Sequence, residues 1–307
     1  MNICEKVKEI IEKVKNVKQE NKLPSNCYFL SKDEVVCFER AFGDSRYPYS
    51  CDGLTLWAYS SGNIKIEEGA FNVLLGAPEG KEPNLCFYSG IKRGEKYFPV
   101  SITGAGKLPF EEGVERFTVF SSDAAYYFAQ TKAFVTCVRV FIDNDKNIRF
   151  TVYTENFTDK NVETYVSSYF NLMLFHLDHE YPETKWYKSC RVTKKGFEFK
   201  TTEYMDRTRC LLHRAEIVRD YNGKVYSTTS HSDFCGSMTG QVCCSTALQK
   251  GVFDKCKEYT VFTETAIAGD IIPVTLGAKE SFFISYTLSV GDGNAEQTKT
   301  AEIDSAL

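Results

Sequence analysis

Between Leu54 and Tyr286 the chain is a succession of short runs in which apolar or aromatic positions alternate with polar ones, the period-two pattern of half-buried strands. Residues 54–59, Leu-Thr-Leu-Trp-Ala-Tyr, are the first clear case. Residues 64–67 follow across Ser60-Ser61-Gly62-Asn63, whose Gly and Asn suit a positive φ, so this stretch predicts a hairpin. Residues 117–120, 134–142 and 148–154 continue the pattern, and the polar loop Asp143 to Asn147 between the last two has hairpin length. Residues 165–174 read as another long strand. Further strand patterns fall at 191–192, 196–202, 209–214 and 224–227, and the final set, 259–263 and 281–289, flanks 267–276.

A 3.6-residue period occurs over residues 2–22, where Ile3, Val7, Ile10, Ile11, Val14 and Val17 recur at intervals of three and four before Pro24 stops the pattern. Acidic and basic residues share its polar face, so it reads as a helix packed on the strands or on a neighbouring subunit rather than on a membrane surface. One long helix among many strands excludes a doubly wound or barrel α/β design. The fold class predicted is therefore all-β, a sandwich with an N-terminal amphipathic helix. Its expected organisation is a helix over 1–24, one large sandwich over 25–295, and a polar tail or start of a linker over 296–307. With 307 residues, 43% of them apolar, the chain can bury one large core.

Charge narrows the partners. A net charge of -4, with Lys and Arg dispersed, argues against nucleic acid, which requires a concentrated basic face. No apolar run approaches the roughly 20 residues that span a bilayer, and no leader-like segment opens the chain, so a cytoplasmic protein without membrane contact is expected. Twelve cysteines without regular spacing read as reduced thiols. Cys86 and Cys137 sit inside strand patterns, where a thiol packs as a small hydrophobe.

Candidate chemistry is diffuse. Residues 176–188 form an irregular stretch rich in aromatic and ionisable groups and are the expected functional loop. His176 and His179 within it invite a metal or acid–base reading, but positions i and i+3 face opposite sides of a strand and the HExxH spacing is absent, so no metal is assigned. Cys243-Cys244 has no CxxC partner and only His231 nearby in sequence, and reads as core. No phosphate loop or nucleophile elbow is present, and the glycines of 76–80 read as turn residues, so no cofactor is expected. Aromatic residues make up 14% of the chain and can stack on sugar rings while charged neighbours bond the hydroxyls. Arg46, Tyr49, Trp57, Tyr181, Trp186 and Tyr187 are the carbohydrate-binding candidates, although mid-strand Trp57 reads more readily as core than as a platform. Among 41 acidic residues no catalytic pair can be chosen.

The run from Ser50 to Ile64, then Glu82-Pro83-Asn84-Leu85 and Tyr97-Phe98-Pro99-Val100, resembles the opening of the N-terminal sandwich of inverting glycoside phosphorylases, the cellobiose and β-1,2-oligoglucan phosphorylases of glycoside hydrolase family 94. Residues 148–160, read as a strand ending in an Asn-containing turn, and Phe234-Cys235-Gly236-Ser237 with Ala247-Leu248-Gln249-Lys250-Gly251 fit the same pattern, so the resemblance extends over roughly residues 40–290. It implies a galactose-mutarotase-like supersandwich followed by linker helices and an (α/α)6 barrel that carries the general acid and the phosphate site. Inorganic phosphate is then the co-substrate of the full enzyme. On this resemblance the chain is the non-catalytic sandwich portion of a phosphorylase acting on β-linked glucooligosaccharides. Its implied partners are an oligosaccharide and a catalytic barrel, in cis or as a separate chain, and the complete enzyme is expected to be a homo-oligomer.

Two other classes stay open. Aldose 1-epimerases share the supersandwich topology and use a histidine acid and a carboxylate base on the sandwich itself. Here His176, His179, His213 or His231 would have to meet a Glu. A stand-alone carbohydrate-binding module would bind sugar without turnover.

Overall fold

The computed structural model describes residues 2–20, 27–38, 45–69, 71–74, 85–103, 113–176, 186–204, 209–235, 246–253, 258–261 and 266–297. Chain order begins with α1 (Ile3–Glu20), β1 (Cys27–Ser31), β2 (Glu34–Phe38), β3 (Arg46–Cys51), β4 (Leu54–Tyr59), β5 (Ile64–Glu68) and β6 (Phe71–Leu74). It continues through β7 (Leu85–Arg93), β8 (Lys96–Ser101), β9 (Glu115–Ser121), β10 (Ala125–Gln130), β11 (Phe134–Ile142), β12 (Ile148–Asn156), β13 (Val162–Phe170) and β14 (Phe175–His176). Then come β15 (Trp186–Thr193), β16 (Gly196–Tyr204), β17 (Arg209–Asp220), β18 (Tyr226–Ser230), α2 (His231–Cys235), α3 (Thr246–Lys250), β19 (Glu258–Val261), β20 (Ala266–Leu276) and β21 (Ser281–Gln297).

The strands form an 11-stranded sheet, ordered β1-β2-β9-β10-β11-β12-β21-β17-β16-β15-β19, and two five-stranded sheets, β18-β20-β13-β7-β8 and β14-β6-β5-β4-β3. All the described pairings are antiparallel. The central core lies between the large sheet and the two small ones: Tyr127, Val138, Phe150, Phe197, Phe199 and Tyr286 from the former meet Leu56, Ile66, Phe87 and Phe170 from the latter. The fold is thus an all-β sandwich with an N-terminal helix.

Helices cover the outer faces. Val7, Ile10, Ile11 and Val14 of α1 are buried against Phe117, Val119, Tyr126, Phe128 and Val135 on the outside of the large sheet. Lys6 and Lys13 fasten the helix by reaching Glu34 of β2, each at 2.6 Å. On the opposite surface Phe234 of α2, Leu248 of α3 and Phe253 pack on Tyr88, Tyr169 and Ile271. Several strands are therefore buried on both faces, and residues 85–88 of β7 and 125–129 of β10 read as unbroken apolar and aromatic runs.

The turns follow from their residues. Asp52 and Gly53 between β3 and β4 have φ of 45° and 87°, the left-handed pair of a two-residue hairpin. Asp143 holds the β11–β12 loop by accepting the backbone N–H of Asp145 and Asn147 on one oxygen and Arg149 on the other. Asn156 closes β12. Its amide donates to the carbonyls of Lys160 at 2.6 Å and Gly277 at 2.8 Å, and its oxygen accepts from the Thr158 backbone and hydroxyl.

The described ends of the irregular stretch expected over residues 176–188 are strand. Trp186, Tyr187 and Lys188 open β15, hydrogen-bonded to β16, and His176 pairs with Phe71 in β14. The strand expected over 165–174 ends at Phe170.

Candidate functional site at the polar end of the inner sheet face

Along β16, Phe197, Phe199, Thr201 and Glu203 fall on one face, which is the face turned to the core. Neighbouring strands continue it in register. Cys190 of β15 and Ala215 of β17 flank Phe199, while Lys188 and His213 flank Thr201. The inner surface of the sheet therefore changes from Phe, Cys, Ala and Ile to Lys, Thr, His and Glu within one step of the pleat.

All four polar residues of this end are buried: Lys188 is 1% exposed, Thr201 2%, Glu203 0% and His213 1%. Burying such groups is unfavourable unless they are bonded. His213 Nε2 is hydrogen-bonded to Glu203 Oε2 at 2.8 Å. The Lys188 ammonium donates to Asn171 Oδ1 just beyond β13, bridging the large sheet to the facing one, and lies 5.6 Å from the centre of the Phe199 ring. The Thr201 hydroxyl, between Lys188 and His213, has no hydrogen-bond partner among the described residues. An unsatisfied buried hydroxyl forfeits roughly 1–3 kcal/mol, so this position can bond one further polar group.

The chemistry available is an imidazole and a carboxylate in contact, able to hold or pass a proton, with an ammonium, an amide and a hydroxyl beside them. This mixture of donors and acceptors over an aromatic ring suits a polyhydroxylated ligand. Among the described residues it offers one imidazole and one carboxylate, and no group of three His, Cys, Asp or Glu converges there as metal ligands.

A second buried polar group lies about 20 Å further along β17, six residues at the usual strand rise. Arg219 pairs there with Asp270 of β20, and Ser227 donates to the same carboxylate at 2.6 Å. Burial pushes the Asp270 carboxyl up, against the pull of Arg219 and Ser227. This contact ties the large sheet to a small one.

The sequence candidates are dispersed. Arg46 and Trp57 meet on the outer face of the β3–β4 hairpin, with the guanidinium 4.5 Å from the indole centre and the indole N–H donating to Glu67 at 2.6 Å. Trp57 is half-buried, neither core nor an open platform. Tyr49 points the opposite way: it is buried and its hydroxyl donates to the Ser121 carbonyl at 3.0 Å. Burial raises its phenol well above the usual range. Tyr187 is half-buried on the face of β15 opposite Lys188. Trp186 begins β15 in register with Glu203. His179, Tyr181 and the Cys243-Cys244 pair lie outside the described residues. His231 starts α2, buried, with its ring 6.3 Å from that of Tyr169. Among the described residues, His213 is placed against a glutamate, Glu203.

Sequence reasoning did not single out Lys188, Thr201, Glu203 or Asn171. Following the inward parity of β16 past its last phenylalanine, Phe197, Phe199, Thr201, Glu203, would have found two of them.

No family model matches the chain, and no curated protein does either. Solved structures similar to it include a putative kojibiose phosphorylase from human microbiome, at 9% identity and TM-score 0.45, covering 93% of this chain and 36% of that one. A galactose mutarotase-like protein from Clostridium acetobutylicum matches at 9% identity and TM-score 0.40 over 85% of this chain and 100% of that one. A putative aldose 1-epimerase from Klebsiella pneumoniae matches at 10% identity and TM-score 0.40, over 94% and 92%. The chain thus spans about a third of the phosphorylase's length. At such identities these similarities transfer no residue role. No helix among the described residues is long and apolar enough to cross a membrane.

Proposed function

We propose that this chain is a carbohydrate-binding sandwich and that its ligand site is the polar end of the inner sheet face, formed by Lys188, Thr201, Glu203, His213 and Asn171. The observation that carries this reading is the in-register row Lys188–Thr201–His213, with Glu203 bonded to His213, next to the apolar stretch of the same face around Phe199, Cys190 and Ala215. Each hydroxyl of a sugar both donates and accepts, so several of them can bond to such a row of polar groups, and the Thr201 hydroxyl has no other partner among the described residues.

In its finer form the proposal makes the chain the sandwich portion of a glycoside phosphorylase acting on β-linked glucooligosaccharides. The general acid and phosphate site would lie on a helical barrel, in cis or on another chain. Support comes from where the resembling segments fall: 50–64 spans the end of β3, β4 and the turn into β5, and 148–160 is β12 with its Asn156 corner. Titration calorimetry with cellobiose and β-1,2-linked glucooligosaccharides tests the binding claim. Saturable heat that Thr201→Val weakens supports it, and no heat with any of these sugars overturns it. Release of sugar phosphate by the chain alone would contradict its non-catalytic role.

The contact between His213 and Glu203 favours one second reading, an aldose 1-epimerase-like activity. That reading requires faster anomer exchange of glucose or galactose in polarimetry, abolished in His213→Gln. A rate equal to buffer rejects it.

A further inference from the structure

Cys27 of β1 and Cys37 of β2 are directly opposite each other in an antiparallel ladder, with their sulfurs 2.8 Å apart. We propose that these two cysteines form a reversible intrachain disulfide that closes the edge hairpin of the large sheet. Directly opposed residues of an antiparallel pair have Cα atoms about 4.5–5.5 Å apart, within the roughly 4.4–6.8 Å that a disulfide spans. Both side chains turn into the central core, so the bond forms without moving either strand past the other. Cys4 has a different neighbour, the Tyr153 hydroxyl at 3.4 Å, on the outer face beneath α1.

Position gives the bond a consequence. β1 is the terminal strand of the large sheet, hydrogen-bonded on one side to β2. The hairpin carries Glu34, which receives Lys6 and Lys13 of α1, so linking its two strands fixes the platform on which the N-terminal helix docks. Of the two thiols, Cys27 is half-buried and Cys37 is buried, its thiol held far above the usual range by burial and by Cys27. Cys27 is therefore the group an external disulfide meets first. The Cys27 thiolate attacks a sulfur of oxidised glutathione, forming a mixed disulfide and releasing one glutathione thiol. Cys37, giving up its proton, then attacks the Cys27 sulfur and releases the second. Two electrons pass from the protein thiols to the glutathione disulfide, and the process reverses with excess reduced thiol.

The sequence makes the test direct, because Lys32 lies between the two cysteines and trypsin separates them into peptides 23–32 and 33–40, each with a single cysteine. The folded protein is incubated with oxidised glutathione, its remaining thiols are blocked, and it is digested and mapped by mass spectrometry without reduction. The expected result is a covalent pair of these peptides with the two-hydrogen mass loss of a disulfide, removed by dithiothreitol. In Cys37→Ser the same treatment should leave glutathione attached to Cys27. Separate peptides in the oxidised wild type, or either cysteine joined instead to a different cysteine peptide, would overturn the proposal.

Discussion

His213 Nε2 lies 2.8 Å from Glu203 Oε2, and both side chains are shut away from solvent on adjacent strands of the large sheet. Two residues along the same face of β16, Phe199 belongs to the apolar core. The pair is thus held at the boundary between a hydrophobic layer and a polar one, where neither group can reorient without losing its partner. Removing one member of a buried hydrogen-bonded pair costs roughly 1–3 kcal/mol. Glu203→Ala should therefore lower the unfolding free energy by about that amount in urea titration. Glu203→Gln, which keeps the shape and an acceptor oxygen, should lose much less.

The Asn156 corner should be nearly as sensitive. Its amide and oxygen serve two carbonyls and two Thr158 donors from a fully buried position. Asn156→Ala removes these four bonds, while the Gly277 carbonyl keeps the Glu280 N–H and the Lys160 carbonyl keeps the Thr158 hydroxyl, and a loss of roughly 1–3 kcal/mol is expected. Asn156→Asp keeps the acceptor side of the corner and should recover part of it in the same chemical denaturation experiment.

Gly90 of β7 is opposite Tyr165 of β13, and the tyrosine ring occupies the space a Cβ on residue 90 would need. Gly90→Ala should displace that ring and lower stability by about 1–3 kcal/mol, the usual range for overpacking a filled core. The double variant Gly90→Ala with Tyr165→Leu should be less destabilised than the sum of the two single changes, which a thermal or urea unfolding cycle would show.

Acid should loosen the docking of α1. Burial pushes the Glu34 carboxyl up, but hydrogen bonds and charge from Lys13 and Lys6 outweigh it and leave its affinity for protons below the usual carboxylate value. A depressed folded value means stability that is fully present above the unfolded value, about 4.5, and is lost as pH falls through the lower, folded one. Wild-type stability should therefore exceed that of Glu34→Gln by a constant margin above about pH 5, and the margin should shrink as the pH is lowered further. A margin that grows in acid would show the sign to be wrong.

The helix and the one-sided strands were legible because their periods are clean. Val7, Ile10, Ile11 and Val14 share a stripe that is buried in the structure, and Leu54, Leu56 and Ala58 alternate with half-buried Thr55, Trp57 and Tyr59. Strand β10 gave no such signal. Tyr126 and Phe128 pack beneath α1 while Ala125 and Tyr127 face the central core, so Ala-Tyr-Tyr-Phe-Ala is apolar on both faces and shows no alternation. Long antiparallel pairings such as β12 with β21, separated by over a hundred residues, depend on tertiary register that local patterns do not encode.

The polar site was harder for the same physical reason. Its members come from the start of β15, the end of β16, β17 and the segment after β13, and they meet through cross-strand register rather than proximity in sequence. His213 could be named from its residue type, but Lys188 entered only as the last residue of the expected functional loop, and nothing set Glu203 apart among 41 acidic residues. Tyr49 illustrates the converse: with Arg46 and Trp57 nearby in sequence it read as part of an aromatic sugar platform, yet strand parity sends its ring into the core.

The central claim, that the polar end of the inner sheet face receives a sugar, is tested most directly by following the imidazole resonances of His213, assigned by their loss in His213→Gln, during titration with cellobiose, β-1,2-linked glucooligosaccharides, glucose and galactose. The account predicts a saturable shift of the His213 signals with at least one of these sugars and a weakened or absent response in Thr201→Val. Unmoved His213 signals across all four titrations would contradict it.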